Sequence, residues 1–316
     1  MLDFTYYAPT KVYFGKDKHL EVGKIISSLG YKKVMIQFGK ASVKASGLLD
    51  QIINALKEND IEYVEMGGVE PNPKIEFVRD AIKVAKANNV QLILAVGGGS
   101  TIDSSKYTAL GCKYDGDVMD FALGKAVPQD AIPVGCVLTH SAAGSEMSSS
   151  AVITDLSINK KKGCTTQFNR PKFAILNPEL TYSVNKYQTA CGIVDIMTHT
   201  MERYFTVVDK TPLTDGIAET ILRKEKPTVS LLGGDLKKNY FITVGKSCLD
   251  FIGGVNIQTA VMTATGFVKD VGGFTCGNQA EAEVKRKVIE KADKVIMLLD
   301  SSKVNKKTPY TFCSLK

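Results

Sequence analysis

The sequence contains little of what several protein classes require. It has no tryptophan, only three histidines in 316 residues, and seven cysteines that never form a C-x-x-C pair. A disulfide framework and a thiolate zinc site are therefore poorly supported, and reduced cysteines are expected. No run approaches the roughly 20 apolar residues that cross a bilayer, and the first residues lack the pattern of a secretory signal. We expect a cytoplasmic protein without a membrane partner.

The composition otherwise fits a globular protein of two domains. Apolar residues make up 44% of the chain and charged residues 23%, which is close to the globular average and argues against disorder or a coiled coil. The net charge is +7, and residues 224–316 carry 15 basic against 9 acidic residues. Because those lysines are spread among apolar runs, a solvated face is favoured over a nucleic-acid surface.

Strand-like and helix-like segments alternate along the first part of the chain, which predicts βαβ units and a doubly wound parallel sheet. The predicted strands are 33–39, 62–66, 92–96, 132–138, 151–154 and 173–176, and the predicted helices are 48–58, 75–87 and one from about 101. Two helices follow, and a second α/β pattern then resumes: helices 185–205 and 213–223, strands 228–232, 259–264 and 294–300, and helix 279–292. The change of pattern predicts domain boundaries near 183 and near 224.

A glycine run marks one turn from a strand to a helix. Gly97, Gly98, Gly99 and Ser100 follow a short apolar run. Glycines at such a turn let the backbone approach a diphosphate, and the helix start offers N–H donors to an anion. A glycine-rich turn of this kind is equally typical of a strand-to-helix connection that binds no ligand. It is not the G-x-G-x-x-G motif of a Rossmann fold.

One acid–histidine pair has helical spacing. Asp195 and His199 lie four residues apart, so both side chains can reach one divalent cation from the same helix face. The same spacing also fits an ordinary contact between an acid and a histidine on a helix surface.

Taken together, these features resemble the iron-containing alcohol dehydrogenase family, in particular its butanol dehydrogenase-like branch. The motifs that carry the resemblance occur in the family's order over about residues 1–223: Thr10–Gly15, Gly68–Pro73, Gly97–Asp103 with Lys106, Ala143–Met147, Asn177–Thr181 and Gly192–His199. The resemblance implies a nucleotide-binding α/β domain at 1–182 and a truncated helical, metal-binding domain at 183–223. The active site would lie between them.

The resemblance also implies a site for a nicotinamide dinucleotide. Its diphosphate would be held by the glycine run, and the remaining site would be lined by Asp103 and Thr139, with Ser141 and Ser148 as further candidates. The segment that separates NAD from NADP reads Gly39, Lys40, Ala41, Ser42. It has no acid for a ribose 2′-hydroxyl, and its Lys40 and Ser42 suit a 2′-phosphate, so NADP(H) is favoured. A solvent-facing Lys40 is the alternative.

The implied reaction is hydride exchange between the nicotinamide and a primary alcohol or aldehyde, assisted by Fe²⁺ or Zn²⁺ as a Lewis acid. The family holds this metal with one Asp and three His, and Asp195 and His199 match two of these ligands. No histidine follows His199. Since a catalytic site normally supplies at least three protein ligands, the metal site is incomplete and metal-assisted turnover is in doubt.

The last part, 224–316, resembles the C-terminal half of the sensor domain of DeoR-type transcription repressors. Its motifs include Leu231–Leu236, Ala264–Phe267, Gly272–Thr275, Glu281–Lys285 and Asp300–Lys303. The resemblance implies a partial α/β domain that binds a sugar phosphate through Glu281, Lys285, Asp300, Ser302 and Lys303. Glu281 and Lys285 also fit a plain helix-surface ion pair.

Two functions are therefore expected from the sequence. The first is an NAD(P)-dependent alcohol/aldehyde oxidoreductase with a damaged metal site. The alternative is a non-catalytic fusion whose last part binds a sugar phosphate. No helix-turn-helix pattern is present, so DNA is not an expected partner. Both truncated parts would expose apolar surface, which favours a homo-oligomer.

Overall fold

A computed structural model of the chain describes residue 5 and residues 7–204, 212–224, 235–237, 242–268, 272–299 and 301–314. The chain divides into two compact units, residues 1–200 and 201–316. No helix among the described residues is both long enough and apolar enough to cross a membrane.

The first unit is built on a six-stranded sheet, and every pairing in it is parallel. The strands are β1 (Lys11–Phe14), β2 (Lys33–Gly39), β3 (Glu62–Val69), β4 (Leu92–Gly97), β5 (Val134–Leu138) and β8 (Phe173–Leu176). Their spatial order is β1-β8-β5-β4-β2-β3. The order reverses between β2 and β4, because β3 lies outside β2 on one side while β5 and β8 continue on the other. Such a switch point places a crevice at the carboxyl ends of the strands.

Helices cover both faces of this sheet. They are α1 (Val22–Ser28), α2 (Ser42–Ala45), α3 (Leu48–Lys57), α4 (Ile75–Ala87), α5 (Gly99–Gly111) and α6 (Met119–Leu123). Alternate residues of β4 enter different clusters: Leu92, Leu94 and Val96 join the cluster of α1 and α3, whereas Ile93 and Ala95 join that of α4 and α5. Burial on both faces is why β4 reads as an unbroken apolar run. The predicted doubly wound parallel fold is confirmed.

One predicted strand lies outside this sheet. Residues 151–154 fall within β6 (Ser150–Asp155), which pairs antiparallel with β7 (Lys160–Thr165) as a separate hairpin. The sequence did not indicate β7, because the strand begins with three lysines and only Cys164 of its six residues is buried. The hairpin packs against α5 through Ala151 and Ile153, which are buried beside Tyr107.

A long helix, α7 (Lys186–Tyr204), ends the first unit and runs into the second. The second unit contains α8 (Pro212–Lys224), β9 (Asp235–Lys237), β10 (Ile242–Val244), α9 (Lys246–Gly253), β11 (Ile257–Thr263), β12 (Gly266–Val268), β13 (Gly273–Cys276), α10 (Gln279–Lys291), β14 (Ala292–Leu298) and β15 (Tyr310–Ser314). These strands form three small sheets, β9-β10, β11-β14 and β12-β13-β15. The predicted strand 228–232 lies outside the described residues.

Candidate functional site

An open cleft of about 1020 Å³ lies at the carboxyl edge of the six-stranded sheet. Residues that follow five of the strands line it: Lys40 after β2, Glu70 after β3, Gly98 after β4, Thr139 after β5 and Asn177 after β8. Because the strands are parallel, their carboxyl ends meet at one edge, and a topological switch point there is where open α/β sheets bind ligands.

The glycine run forms the turn between β4 and α5. Gly98, Gly99 and Ser100 line the cleft, whereas Gly97 is the last residue of β4 and is buried. No side chain caps the start of α5, and a Cβ added at Gly99 would meet no atom within 4 Å. The helix start therefore presents backbone N–H groups beside open space, as a phosphate-binding turn requires. These residues fit a dinucleotide diphosphate.

Lys40 does not stand alone at the cleft. Its Nζ lies 2.5 Å from Oε1 of Glu70, and the side chains of Lys40 and Glu70 are 66% and 44% exposed. Gly39, Ser42 and Lys74 also line this part of the cleft. Hydrogen bonding and the charge of Lys40 lower the pKa of Glu70 below its usual value. The sequence analysis gave Glu70 no role in the site, because the predicted strand 62–66 ends before it, whereas β3 continues to Val69.

A buried lysine supports one wall of the cleft from behind. Lys106 of α5 is fully buried, and its Nζ donates to the carbonyl oxygens of Ser145, Ser148 and Ser150 and to the Ser145 hydroxyl, at 2.7–3.0 Å. Burial lowers the pKa of Lys106 to about 8. These bonds fix the segment that follows Thr139, a residue of the cleft wall.

Two of the predicted nucleotide-site residues, Asp103 and Ser148, belong to the hydrogen-bond network around Lys106 and do not line the cleft. Asp103 accepts hydrogen bonds from the Ser145 hydroxyl at 2.6 Å and from the backbone N–H of Val152 at 3.0 Å. Burial raises the pKa of Asp103, although the Ser145 bond and the charge of Lys106 oppose the rise. The hydroxyl of Ser148 accepts from the backbone of Ser150. The structure therefore gives Asp103 and Ser148 a supporting position.

Thr139 and His140 form the cleft wall that adjoins the glycine turn. The backbone N–H of Thr139 donates to the carbonyl of Gly97 at 3.1 Å, and a Cβ added at Gly98 would lie 3.2 Å from the Cβ of His140. Ser141 is exposed, and its carbonyl touches α7 closely enough that a Cβ at Gly192 would lie 2.5 Å from it. His140 also lines the cleft, and the sequence analysis assigned it no role.

The predicted metal ligands form a pair on the surface of α7. Nε2 of His199 lies 3.6 Å from Oδ1 of Asp195, and both side chains are more than 40% exposed. Among the residues that the structure describes, no group of three or more His, Cys, Asp or Glu side chains could hold a metal ion. Neither residue lines the cleft. This donor set does not fit Fe²⁺ or Zn²⁺, which need at least three protein ligands.

The predicted sugar-phosphate residues are only partly brought together. Lys285 bonds Oε1 of Glu281 at 2.6 Å and the carbonyl of Thr263 at 2.9 Å, and its Nζ lies 4.9 Å from the ring centre of Phe312. The ammonium is thus engaged inside its own unit. Ser302 and Lys303 lie in a short 3-10 turn, Ser301–Lys303, while Asp300 lies outside the described residues.

Comparison with known families assigns the two parts separately. Residues 9–178 match the family model of the iron-containing alcohol dehydrogenases, and residues 197–316 match that of the DeoR C-terminal sensor domain. The first match covers more than half of the chain. The chain therefore belongs to the iron-containing alcohol dehydrogenase family and carries a DeoR-type sensor segment after it.

The relatives support the first assignment at high identity. The chain is 46% identical over 223 residues to the NADH-dependent butanol dehydrogenase A of Clostridium acetobutylicum, covering 71% of this chain and 57% of the relative. It is 37% identical over 226 residues to the NADPH-dependent aldehyde reductase YqhD of Escherichia coli, covering 70% and 57%. The crystal structure of an NADH-dependent butanol dehydrogenase A from Thermotoga maritima superposes with a TM-score of 0.68 at 38% identity, covering 70% and 56%. The chain thus spans somewhat less than three fifths of the length of these relatives.

Proposed function

We propose that this chain binds a nicotinamide dinucleotide in the cleft of its first unit and belongs functionally to the NAD(P)-dependent alcohol/aldehyde oxidoreductases. The proposal rests on one observation above the others. The cleft at the switch point of the sheet opens onto an uncapped helix start whose glycine leaves room for a diphosphate. Family membership supplies the reaction class.

The glycine turn would hold the diphosphate through the backbone of Gly98, Gly99 and Ser100. Thr139 would contact the nucleotide from the wall that adjoins the turn, with Ser141 beside it in the chain, while Asp103 and Ser148 would act indirectly by fixing that wall. Gly39, Lys40 and Ser42 would surround the adenosine ribose. Since Lys40 and Ser42 can donate hydrogen bonds to a 2′-phosphate, NADP(H) is favoured over NAD(H). The names of the relatives include both NADH-dependent and NADPH-dependent enzymes.

The reaction of this class is hydride exchange between the nicotinamide and a primary alcohol or aldehyde. In this chain the cleft residues would bind and orient the dinucleotide. The described donor set does not fit the family's metal. We expect the chain to bind the dinucleotide but to oxidise alcohols and reduce aldehydes only slowly.

The test is isothermal titration calorimetry of the purified full chain with NADPH and NADH, followed by an aldehyde-reduction assay that monitors reduced nicotinamide. The expected result is binding of both dinucleotides, tighter for NADPH, with little aldehyde reduction even after added Fe²⁺ or Zn²⁺. A chain that binds neither dinucleotide would refute the proposed site. Rapid, metal-dependent reduction would refute the inference about turnover.

A second candidate function is recognition of a sugar phosphate by the last part, as a non-catalytic fusion. The observation that favours it is the match of residues 197–316 to the DeoR-type sensor domain. Two lysines were predicted to hold the phosphate, and the structure describes both: Lys285 is engaged with Glu281, so the proposal assigns the phosphate to Lys303. A panel of sugar phosphates in a thermal shift assay separates the two functions. A rise in melting temperature with a sugar phosphate alone would transfer the function to the second unit.

We also propose self-association, with an apolar stretch of α7 as a contributing surface. Tyr187 and Val194, seven residues apart on this helix, are 75% and 60% exposed. Exposed apolar patches commonly mark interaction sites. Light scattering after size-exclusion chromatography is expected to give a mass above that of one chain, and replacing both residues by serine is expected to lower it. A monomer at all concentrations would contradict the proposal.

A further inference from the structure

A carboxylate lies within bonding distance of the cation that suits NADP(H). Lys40 and Glu70 both line the cleft, and their charged atoms are 2.5 Å apart. The neighbouring cation is Lys74, whose charge also acts on Glu70. This corner of the cleft therefore holds two cations and one anion, with the anion paired to Lys40.

The register of the sheet brings this pair together. β2 pairs with β3 from Lys33 opposite Glu62 to Phe38 opposite Gly67, and then one extra residue enters β3, so that Gly39 pairs with Val69. The extra residue, Gly68, has a φ of +110°, a conformation that side chains rarely adopt. Because of this bulge, Lys40 and Glu70 each follow directly after a paired residue. Without it, Val69 would follow the paired residue where Glu70 now does.

The pair has opposite consequences for the two dinucleotides. A 2′-phosphate would have to draw Lys40 away from Glu70 and would then face a negative charge at close range, which costs affinity. A ribose 2′-hydroxyl can donate a hydrogen bond to the same carboxylate, and such charge-assisted bonds are the stronger kind. The carboxylate is charged at neutral pH, since Lys40 lowers its pKa.

We propose that Glu70 is a specificity-determining residue of the dinucleotide site, which restrains Lys40 and thereby allows NAD(H) to compete with NADP(H). The inference rests on the proposed dinucleotide binding and adds a residue outside the segment Gly39–Ser42. It assigns the choice between the dinucleotides to Lys40 and Glu70, which follow two adjacent strands. The bulge at Gly68 is the structural feature that creates the pair.

The test is calorimetric titration of the full chain and three variants with NADPH and with NADH at low ionic strength. In Glu70→Gln, NADPH should bind about fivefold more tightly and NADH about twofold more weakly, so the ratio of affinities should change about tenfold. Lys40→Gln should weaken NADPH alone. Glu65→Gln is the matched control, because it removes a carboxylate of β3 that lies 4.0 Å from Lys44 and outside the cleft; it should change neither affinity.

Three results would each overturn the proposed role of Glu70, and one of them would overturn the proposed function as well. An unchanged ratio of affinities in Glu70→Gln, with both dinucleotides still bound, would overturn the role of Glu70 and leave the proposed function intact. An equal change in Glu65→Gln would reduce the effect to general surface charge and also overturn it. Failure of the unaltered chain to bind either dinucleotide would overturn the proposed function itself, and this inference with it.

Discussion

Both units of this chain contain parallel strands and helices, but their parallel sheets differ in the number of described strands and in how fully the strands are buried. In the first unit, six parallel strands lie between two layers of helices, and the six residues of β4 are all buried. Among the described residues of the second unit, the parallel sheet has two strands, β11 and β14. Its Ala260 and Met262 are buried on one face, whereas Val261 and Leu298 are 61% and 53% exposed.

This difference decides where a ligand can bind. A site at the carboxyl edge of a parallel sheet is assembled from the ends of several neighbouring strands, and the first unit supplies five such ends to its cleft. Where the structure describes the second unit, two parallel strand ends lie together. A cavity described there, of about 620 Å³, is lined by residues of α9 and α10 and lies away from the strand ends. The cleft of the first unit therefore supports the proposed dinucleotide site better than this cavity would.

The largest expected effect compares one residue type in both sheets. Ile36 of β2 is fully buried, whereas Ile296 of β14 is 37% exposed. Ile36→Ala should lower the free energy of unfolding by about 2–5 kcal/mol because it leaves a cavity, and Ile296→Ala should cost less than about 1 kcal/mol. Urea unfolding followed by circular dichroism measures both. Equal losses would mean that the second sheet is covered on both faces.

The second prediction compares two lysines, Lys106 and Lys285, whose ammonium groups donate hydrogen bonds within the protein. Lys106→Met removes an ammonium whose three N–H groups are shared among four oxygens of residues 145–150 and should cost about 2–4 kcal/mol. It should also weaken NADPH binding, since Thr139 loses its support. Lys285→Met removes two bonds from a side chain that is 15% exposed and should cost about 1 kcal/mol. Thermal denaturation measures the loss of stability, and calorimetry measures NADPH binding. If Lys106→Met binds NADPH like the unaltered chain, the bonds of Lys106 do not support the cleft wall.

The third prediction separates binding from stability. Gly99→Ala fills open space in the cleft and should weaken NADPH binding about tenfold, or about 1.4 kcal/mol, with the melting temperature nearly unchanged. Gly216→Ala in α8, where an added Cβ also meets no atom within 4 Å, should stabilise the helix by up to about 1 kcal/mol and leave binding unaltered. If both variants bind NADPH like the unaltered chain, the glycine turn does not hold the diphosphate.

The fourth prediction concerns pH and again depends on Lys106. Its pKa is lowered from 10.5 to about 8 by burial, so between pH 8 and 10.5 the unfolded chain binds more protons at this residue than the folded chain does. The contribution of Lys106 to stability should therefore rise with pH across this window, by at most about 1.4 kcal/mol per pH unit. The difference in unfolding free energy between the unaltered chain and Lys106→Met isolates it. A difference that is constant across the window would contradict the shift.

These comparisons also explain which features the sequence could predict. The helix Ile75–Ala87 follows from its apolar periodicity, and β4 follows from a short unbroken apolar run that ends in glycines; the structure has both. The hairpin of β6 and β7 was missed because its second strand is mostly exposed and lysine-rich. The fold class was predictable because alternation of strands and helices is a local property.

The composition of the site was less predictable, because it depends on register and side-chain direction. Asp103 lies three residues after Ser100 on α5, yet its carboxylate bonds Ser145 and Val152 away from the cleft. Glu70 reaches Lys40 through a one-residue bulge that no periodicity reveals. A motif fixes which elements carry a site, whereas the partners of each side chain depend on how neighbouring elements are aligned.

The smallest expected effect is at the pair that the family motif suggests as metal ligands. Asp195 and His199 are both substantially exposed and 3.6 Å apart, and exposed pairs contribute about 0–1 kcal/mol. Asp195→Ala should therefore change the melting temperature and NADPH binding very little. Elemental analysis after incubation with Fe²⁺ or Zn²⁺ should find equally little bound metal in both chains, because two donors on one helix do not complete a site. If the substitution removes bound metal, the chain supplies further ligands, and the first unit would then hold a catalytic centre in addition to a dinucleotide cleft.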